Sequence, residues 1–252
     1  MGKIKLKFGE NPYCSNEDYH NDREFLSSSA LKLLVNKQFK DFKNKYILNK
    51  KSNTTKASYE LGTLIHTLLL EPENLKTDYA FYPGKVRRGK KFEIFKLKNK
   101  GKMILLKSTL KKGRSIVNKY KKRKSYKIQF KHGKSEITAC GKINGVKVKA
   151  RFDFIDKRRN LIIDVKSTWY NKIQYNRFVK QSRIYKYHLS AALYLEIARQ
   201  TYGKEFEFAI LCLSTQDGSH FYHSYNFERN DIKNGLDQVH EALKIYKKRY
   251  AP

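Results

Sequence analysis

The sequence predicts an α/β (α+β) fold in which a mixed central sheet is flanked by helices. Three observations carry that expectation. Apolar residues recur at helical spacing in the first third of the chain, a period of two takes over from Ser135, and helical spacing returns after Asn176 with two further strands behind it. The 252 residues, 40% of them hydrophobic, suffice for one cored domain over 1–252 with an insertion.

Residues 1–26 are polar and aromatic without a clear period. Leu26-Ser27-Ser28-Ser29 reads as an N-cap ahead of Leu31, Leu34, Val35 and Phe39, predicting a helix over about 28–48. The polar run Asn49 to Thr55 breaks it, and a second helix from Lys56 to Leu70 ends before Pro72, with His66 near its C-terminus. The stretch 84–134 crowds Lys and Arg among single aromatics and glycines, predicting a basic surface segment. It reads either as a solvated helical excursion or as a DNA contact in which Phe92, Phe95, Tyr120 and Tyr126 stack on bases.

From Ser135, alternation through Ile137, Ala139, Val146, Val148, Ala150, Phe152 and Phe154, then the run Leu161 to Val165, predicts three antiparallel strands. Asn144-Gly145 marks a tight turn between the first two. A long helix then fits Asn176 to Gln200, strands fit Phe206 to Ser214 and Phe221 to Phe227, and a final helix fits Asp231 to Tyr250.

Lys and Arg number 55 against 23 Asp and Glu, a formal net charge of +32 spread along the chain. A polyanion is the natural partner, and nucleic acid the first candidate, because each phosphate neutralised releases counterions. No apolar run is long enough to span a membrane, and the opening MGKIKLKFGE lacks a secretory stretch, so a cytoplasmic protein without a membrane partner is expected. Cys14, Cys140 and Cys212 stand apart from one another and from histidines at zinc-finger spacing, which argues against disulfides and structural zinc.

Two carboxylates concentrate the chemistry. If Arg158 and Arg159 form the turn between the second and third strands, paired residues sum to 317 and Asp153 faces Asp164. Carboxylates about 5 Å apart repel unless a cation joins them, and clustered oxygens suit Mg²⁺ or Mn²⁺. Lys166 shares the face of Asp164 by strand period, and a cation beside a metal is what phosphodiester hydrolysis uses. A wet-face salt bridge is the plainer account of one D-x-K, but Asp164 ends the apolar run Leu161-Ile162-Ile163, where a carboxylate needs a reason.

Five segments resemble a known family. They are Leu26-Ser27-Ser28-Ser29-Ala30-Leu31, Leu61-Gly62-Thr63-Leu64-Ile65-His66 with Leu68-Leu69-Leu70-Glu71-Pro72, Ala150-Arg151-Phe152-Asp153-Phe154, Ile163-Asp164-Val165-Lys166-Ser167-Thr168, and Tyr187-His188-Leu189-Ser190-Ala191-Ala192-Leu193-Tyr194. In this order they resemble the exodeoxyribonuclease VIII (RecE-type) and phage recombination nucleases of the PD-(D/E)xK superfamily. The resemblance implies a restriction-endonuclease-like core and a Mg²⁺ (or Mn²⁺) site held by His66, Asp153, Asp164 and the backbone carbonyl of Val165, with Lys166, Asp164 and Asp153 catalytic. Glu136 corresponds to an acidic position of the family, and reads as a further ligand or as a strand-edge charge.

The function this resemblance implies is that of a DNA nuclease, a 5′-to-3′ double-strand exonuclease in phage or prophage recombination, working on duplex DNA with a free end in the bacterial cytoplasm. A single-strand annealing protein and a homo-oligomeric ring are partners the resemblance implies. Arg87, Arg88, Lys90 and Lys91, with Tyr187, Ser190 and Tyr194, are the expected DNA contacts; Ser190 departs from the Gln that many relatives carry. Two other readings stay open: a structure-specific or nicking endonuclease on the same core, and a nucleic-acid-binding module without catalysis.

Overall fold

A computed structural model describes residues 4–50, 57–225 and 230–250. The chain runs β1 (Gly9–Asn11), α1 (Asn16–Asn21), β2 (Leu26–Ser27), α2 (Ser28–Val35), α3 (Phe39–Phe42) with a π-turn to Ile47, and α4 (Ala57–Leu70). Then come α5 (Leu75–Asp78), β3 (Tyr79–Tyr82), α6 (Lys90–Lys98), β4 (Met103–Leu106), α7 (Lys107–Lys121) and α8 (Lys124–Gln129). The second half holds β5 (Lys134–Ile143), β6 (Val146–Asp156), β7 (Leu161–Thr168), α9 (Tyr175–Ile184), α10 (Tyr187–Tyr202), β8 (Glu207–Ser214), β9 (His220–Tyr225) and α11 (Asn230–Tyr250).

The main sheet has the order β1-β5-β6-β7-β8-β9, with β2 also pairing parallel to β6. The meander β5-β6-β7 is antiparallel, β8 joins β7 in parallel, and β9 closes the edge antiparallel, giving the mixed sheet the sequence predicts. Asn144 and Gly145, both at positive φ, make the expected tight turn between Ile143 and Val146. The β6–β7 register also sums to 317, but its turn takes four residues, Lys157 to Asn160, not two. Asp156 accepts from the amides of Arg158 and Arg159 and fixes it.

Two predicted helices are broken. The one over 28–48 stops at Val35 in a Schellman motif, where the amides of Gln38 and Lys37 bond the carbonyls of Leu33 and Leu34. Lys37 occupies the left-handed position at φ 58 that glycine usually marks, so the stop is silent in the sequence. The helix over 176–200 likewise divides at Lys186, φ 50, which turns Tyr187 toward the sheet. Lys56, and the end of the predicted strand at Asn226 and Phe227, lie outside the described residues.

The basic stretch 84–134 is more than a surface segment. Its helix α7 buries Ile116, Val117 and Tyr120, and Leu105 of β4 is buried beside them, in a second core shared with Leu64, Ile65 and Leu68 of α4. Lysines cover its outer face, and the half-buried Lys121 reaches back to donate to the Leu68 carbonyl of α4 at 3.0 Å. Among the described residues no helix is long and apolar enough to cross a membrane, and the three cysteines are buried and free.

The larger core lies on the other face, where α2, α10 and α11 pack over β5 and β6. At the α10–α11 crossing a Cβ on Gly235 would stand 2.3 Å from the carbonyl oxygen of His188. Gly235→Ala should therefore force the helices apart and destabilise the protein by about 1–3 kcal/mol. Denaturant unfolding with an unchanged midpoint would show that the crossing has slack.

Candidate active site

The site forms where the sheet comes apart. The β6–β7 ladder runs only from Asp156↔Leu161 to Phe154↔Ile163 and lapses one residue before Asp153 and Asp164. Beyond it the N-terminal half of β6 pairs with β2 instead. The Val165 amide, which loses a ladder partner there, donates to Asp153 Oδ2 at 2.7 Å. On its other side β6 keeps one register with β5 across Ser135↔Phe154 and Ile137↔Phe152, yet the intervening Glu136 is unpaired. Glu136 is held at φ 58, a left-handed conformation that costs a non-glycine residue about 1–3 kcal/mol. Continuing the two registers by one residue puts Glu136 and Asp164 opposite Asp153 on the strands at either side, though neither pair is itself part of a ladder.

A change of face accompanies the fork. Phe152 belongs to the core under α2 and α10, whereas Phe154 belongs to the core under α4, although strict alternation would place both together. The expectation of one apolar face from Val146 through Phe154 fails at Asp153 for this reason: the strand turns over there.

Helix α4 brings His66 across the opening. Its approach is permitted by Gly62, where a Cβ would lie 2.6 Å from the Ser167 hydroxyl on β7. His66 Nε2 stands 2.9 Å from Asp153 Oδ2, and Nδ1 stands 3.2 Å from Glu136 Oε1. Ligand atoms of His66, Glu136 and Asp153 all lie within 4.8 Å of one another. Arg151 clamps the other Glu136 oxygen at 2.5 Å, and also reaches the Cys14 carbonyl and Glu71. Glu136 Oε1 is buried yet makes no hydrogen bond. A buried carboxylate oxygen whose one contact is the imidazole, beside a second carboxylate, is a donor set suited to Mn²⁺ or Mg²⁺.

Asp164 stands outside that triad. The residue is 7% exposed, and its carboxylate pairs with Lys166 Nζ at 2.5 Å. Lys32 of α2 was not foreseen from the sequence: its Nζ and that of Lys166 lie over the Tyr187 ring at 5.2 and 5.8 Å. Burial, with the Lys166 charge nearby, pulls the Lys32 ammonium down to about 7. Lys32 is half-buried next to the buried Leu31 and Leu34 in the chain, and nothing in the sequence alone sets it apart from the other lysines.

The family comparison bears on the fold. Residues 27–250 match the model of a PDDEXK-like domain of unknown function, DUF3799. The chain belongs to this PDDEXK-like family. No curated protein matches it. Among solved structures it is similar to a presumed exonuclease of Eubacterium rectale, at 16% identity and a TM-score of 0.66, over 94% of this chain and 88% of that one. At that identity the likeness speaks for the fold. A structure of SSO0001, 14% identical over 88% of this chain and 87% of that one, has a TM-score of 0.36, too low to bear on it.

In this PDDEXK-like chain the other sequence-predicted contacts divide. Arg87 is spent within the protein, bonding Glu60 at 2.8 Å and the Ile104 carbonyl at 3.0 Å, and it lines a separate cavity beside α6. Arg88, Lys90 and Lys91 are exposed, and Ser190 is half-buried. Tyr187 lies under Lys32 and Lys166. Tyr194 packs edge-on against Phe152 and Phe208 and bonds Ser28, so it supports the sheet from beneath and is not offered to DNA.

Charge couples the group together. Burial disfavours an imidazolium, but the carboxylates of Asp153 and Glu136 outweigh it and raise His66 to about 9. Burial, reinforced by Asp153, raises Glu136 to about 7, and burial also lifts Asp164 against the pull of Lys166. Burial opposes charge on Lys166 too, yet Asp164 and Asp153 keep its ammonium well above the usual lysine value. Protonation competes with metal at higher pH than an unperturbed histidine of about 6.5 would imply.

Stability and metal binding both depend on these protons. His66 and Glu136 have folded values above their unfolded ones, so without metal their stabilisation is present at low pH and is lost as pH rises, through about 7 for Glu136 and about 9 for His66. Metal must displace those protons. Calorimetric Mn²⁺ titration should therefore show affinity climbing between pH 6 and 9 with proton release, and His66→Ala should flatten the climb. A pH-independent affinity in the parent protein would remove His66 from the ligand set.

Proposed function

We propose that this protein is a divalent-metal-dependent deoxyribonuclease that hydrolyses phosphodiester bonds with Mg²⁺ or Mn²⁺. The observation that supports it most is the convergence of one ligand atom each from His66, Glu136 and Asp153 within 4.8 Å of one another, next to the Asp164–Lys166 pair. His66, Glu136 and Asp153 would hold the metal; Asp164 and the Val165 carbonyl would complete its shell after Lys166 turns to the substrate. The cation would supply Lewis-acid polarisation of the phosphoryl oxygen and a more acidic bound water.

Residues of the chain do the rest. Lys166, kept as an ammonium by two carboxylates, suits donating to a phosphoryl oxygen or orienting the incoming water better than removing a proton. Lys32 brings a second amine, its ammonium pulled down to about 7, over the same Tyr187 ring as Lys166. Arg151 fixes Glu136 so that one oxygen alone faces the metal position.

The likeness to RecE-type and phage recombination nucleases supports the finer reading. On it, the substrate is duplex DNA with a free end, degraded 5′-to-3′, with a single-strand annealing protein as partner and a ring of copies as the assembly. The +32 charge supplies sequence-independent affinity for DNA.

End-labelled linear duplex and closed circular DNA, each incubated with Mg²⁺, Mn²⁺, Ca²⁺ or chelator, test the reading. Release of label from the linear duplex alone, abolished by chelator, is expected. Asp153→Asn and Asp164→Asn should abolish cleavage with DNA binding retained, and Lys166→Ala should slow it by about two to four orders of magnitude. More than about a tenth of parent turnover in both Asn variants would dismiss the site. Cleavage of the circle would favour an endonuclease; binding without chelator-sensitive cleavage would favour a binding module.

A further inference from the structure

We propose that the cleft between α6 and β4 is a docking site for an acidic segment of a partner protein, one whose carboxylates alternate with apolar side chains. This surface lies apart from the metal-binding residues, and the inference is independent of the nuclease reading.

The cleft has a volume of about 860 Å³ and is lined by α6, the turn 99–102, the start of β4, Glu60 of α4 and Arg87. Phe92, Leu97, Met103 and Ile104 make its apolar part. Phe92 is buried with its ring edge-on to Tyr82, and Phe95 also meets Tyr82, so these two rings seat α6 on the protein. Leu97, by contrast, is 75% exposed, and Ile94, three residues earlier on the same helix, is 47% exposed. A lone exposed leucine is ordinary on a protein surface. Two aliphatic side chains at a spacing of three, one of them lining a cleft, offer a joint seat for an apolar side chain from outside.

Charge narrows the kind of partner. Arg87, Lys96, Lys100 and Lys102 line the cleft against two carboxylates, Glu60 and Glu93. Glu60 is answered by Arg87 at 2.8 Å and Glu93 by Lys96 at 3.9 Å, while Lys100 and Lys102 pair with no carboxylate among the described residues. Arg87 is braced for a further contact. Its bonds to Glu60 and to the Ile104 carbonyl both use Nη1, and among the described residues Nε and Nη2 make no hydrogen bond, so a side-on fork remains for a carboxylate. Acidic groups set among apolar ones answer both halves of this lining. A DNA strand answers only one: its phosphates suit the lysines, but its bases seek rings to stack on, and the bared side chains here are aliphatic.

Anisotropy of a fluorescein-labelled dodecapeptide repeating Asp-Asp-Leu, at physiological salt, tests the assignment. The parent protein should bind it, and peptides with serine for leucine or asparagine for aspartate should bind about tenfold or more weakly. Leu97→Ala and Lys100→Glu should each weaken binding about fivefold or more, and Arg87→Gln about tenfold. The first two lie at exposed positions, so the test survives even if Arg87→Gln, which strands Glu60, fails to fold. A parent that ignores the leucine peptide, or binds the serine peptide equally well, would overturn the inference. So would an oligothymidine of equal charge that binds as tightly and weakens with Leu97→Ala, which would assign the cleft to nucleic acid. An oligomer of the parent that sediments as monomer in Leu97→Ala would assign it to a second copy of this chain, and would overturn the inference too.

Discussion

Everything at the site depends on the parting of β6 from β7 at Asp153, with the Asp153 carboxylate accepting the Val165 amide in place of the missing ladder bond. A buried amide left bare would cost about 1–3 kcal/mol, so the side-chain acceptor is what makes an open sheet tolerable. The same parting frees one end of Asp164 to meet Lys166 and makes room for His66 from α4. Had β6 and β7 stayed zipped, the two aspartates would face each other across a closed ladder with no access for substrate.

The fork concentrates charge in a place that is partly dry. Three carboxylates, an imidazole, two lysines and Arg151 share it, held by one another, by the Val165 amide at Asp153 and by the Cys14 carbonyl and Glu71 at Arg151. Removing one member of a buried ionic group commonly costs about 3–5 kcal/mol because its partner stays behind uncompensated. The left-handed Glu136 adds strain to the same spot. Local stability is given up here, and the two flanking cores compensate: one under α2, α10 and α11, the other under α4 and α7. The core under α4 and α7 carries His66, which is why α7, for all its lysines, is part of the machinery that positions the site.

Much of this was legible in the sequence where a local rule applies. Strand alternation, the Asn144-Gly145 turn and the register summing to 317 follow from period and turn chemistry. Illegible were the features without a local mark. Lys37 and Lys186 end helices in conformations that glycine usually advertises, β1 and β2 are too short to show a period, and the turnover at Asp153 is a tertiary event. The placement of Glu136, Asp153 and His66 together, with Asp164 turned to Lys166, required the fold; so did the structural use of Arg87 and Tyr194, both drawn to DNA by charge or helical face alone. Lys32 was hidden because one lysine among so many carries no signal until its neighbours are known.

The most direct measurement is anomalous scattering from a Mn²⁺-soaked crystal of the parent protein at pH 8, repeated with Asp153→Asn. A single strong peak within coordination distance of His66, Glu136 and Asp153, lost in the variant, is the predicted result. A peak elsewhere, or one that survives the substitution of Asp153, would contradict the claim that the fork in the sheet is a metal centre.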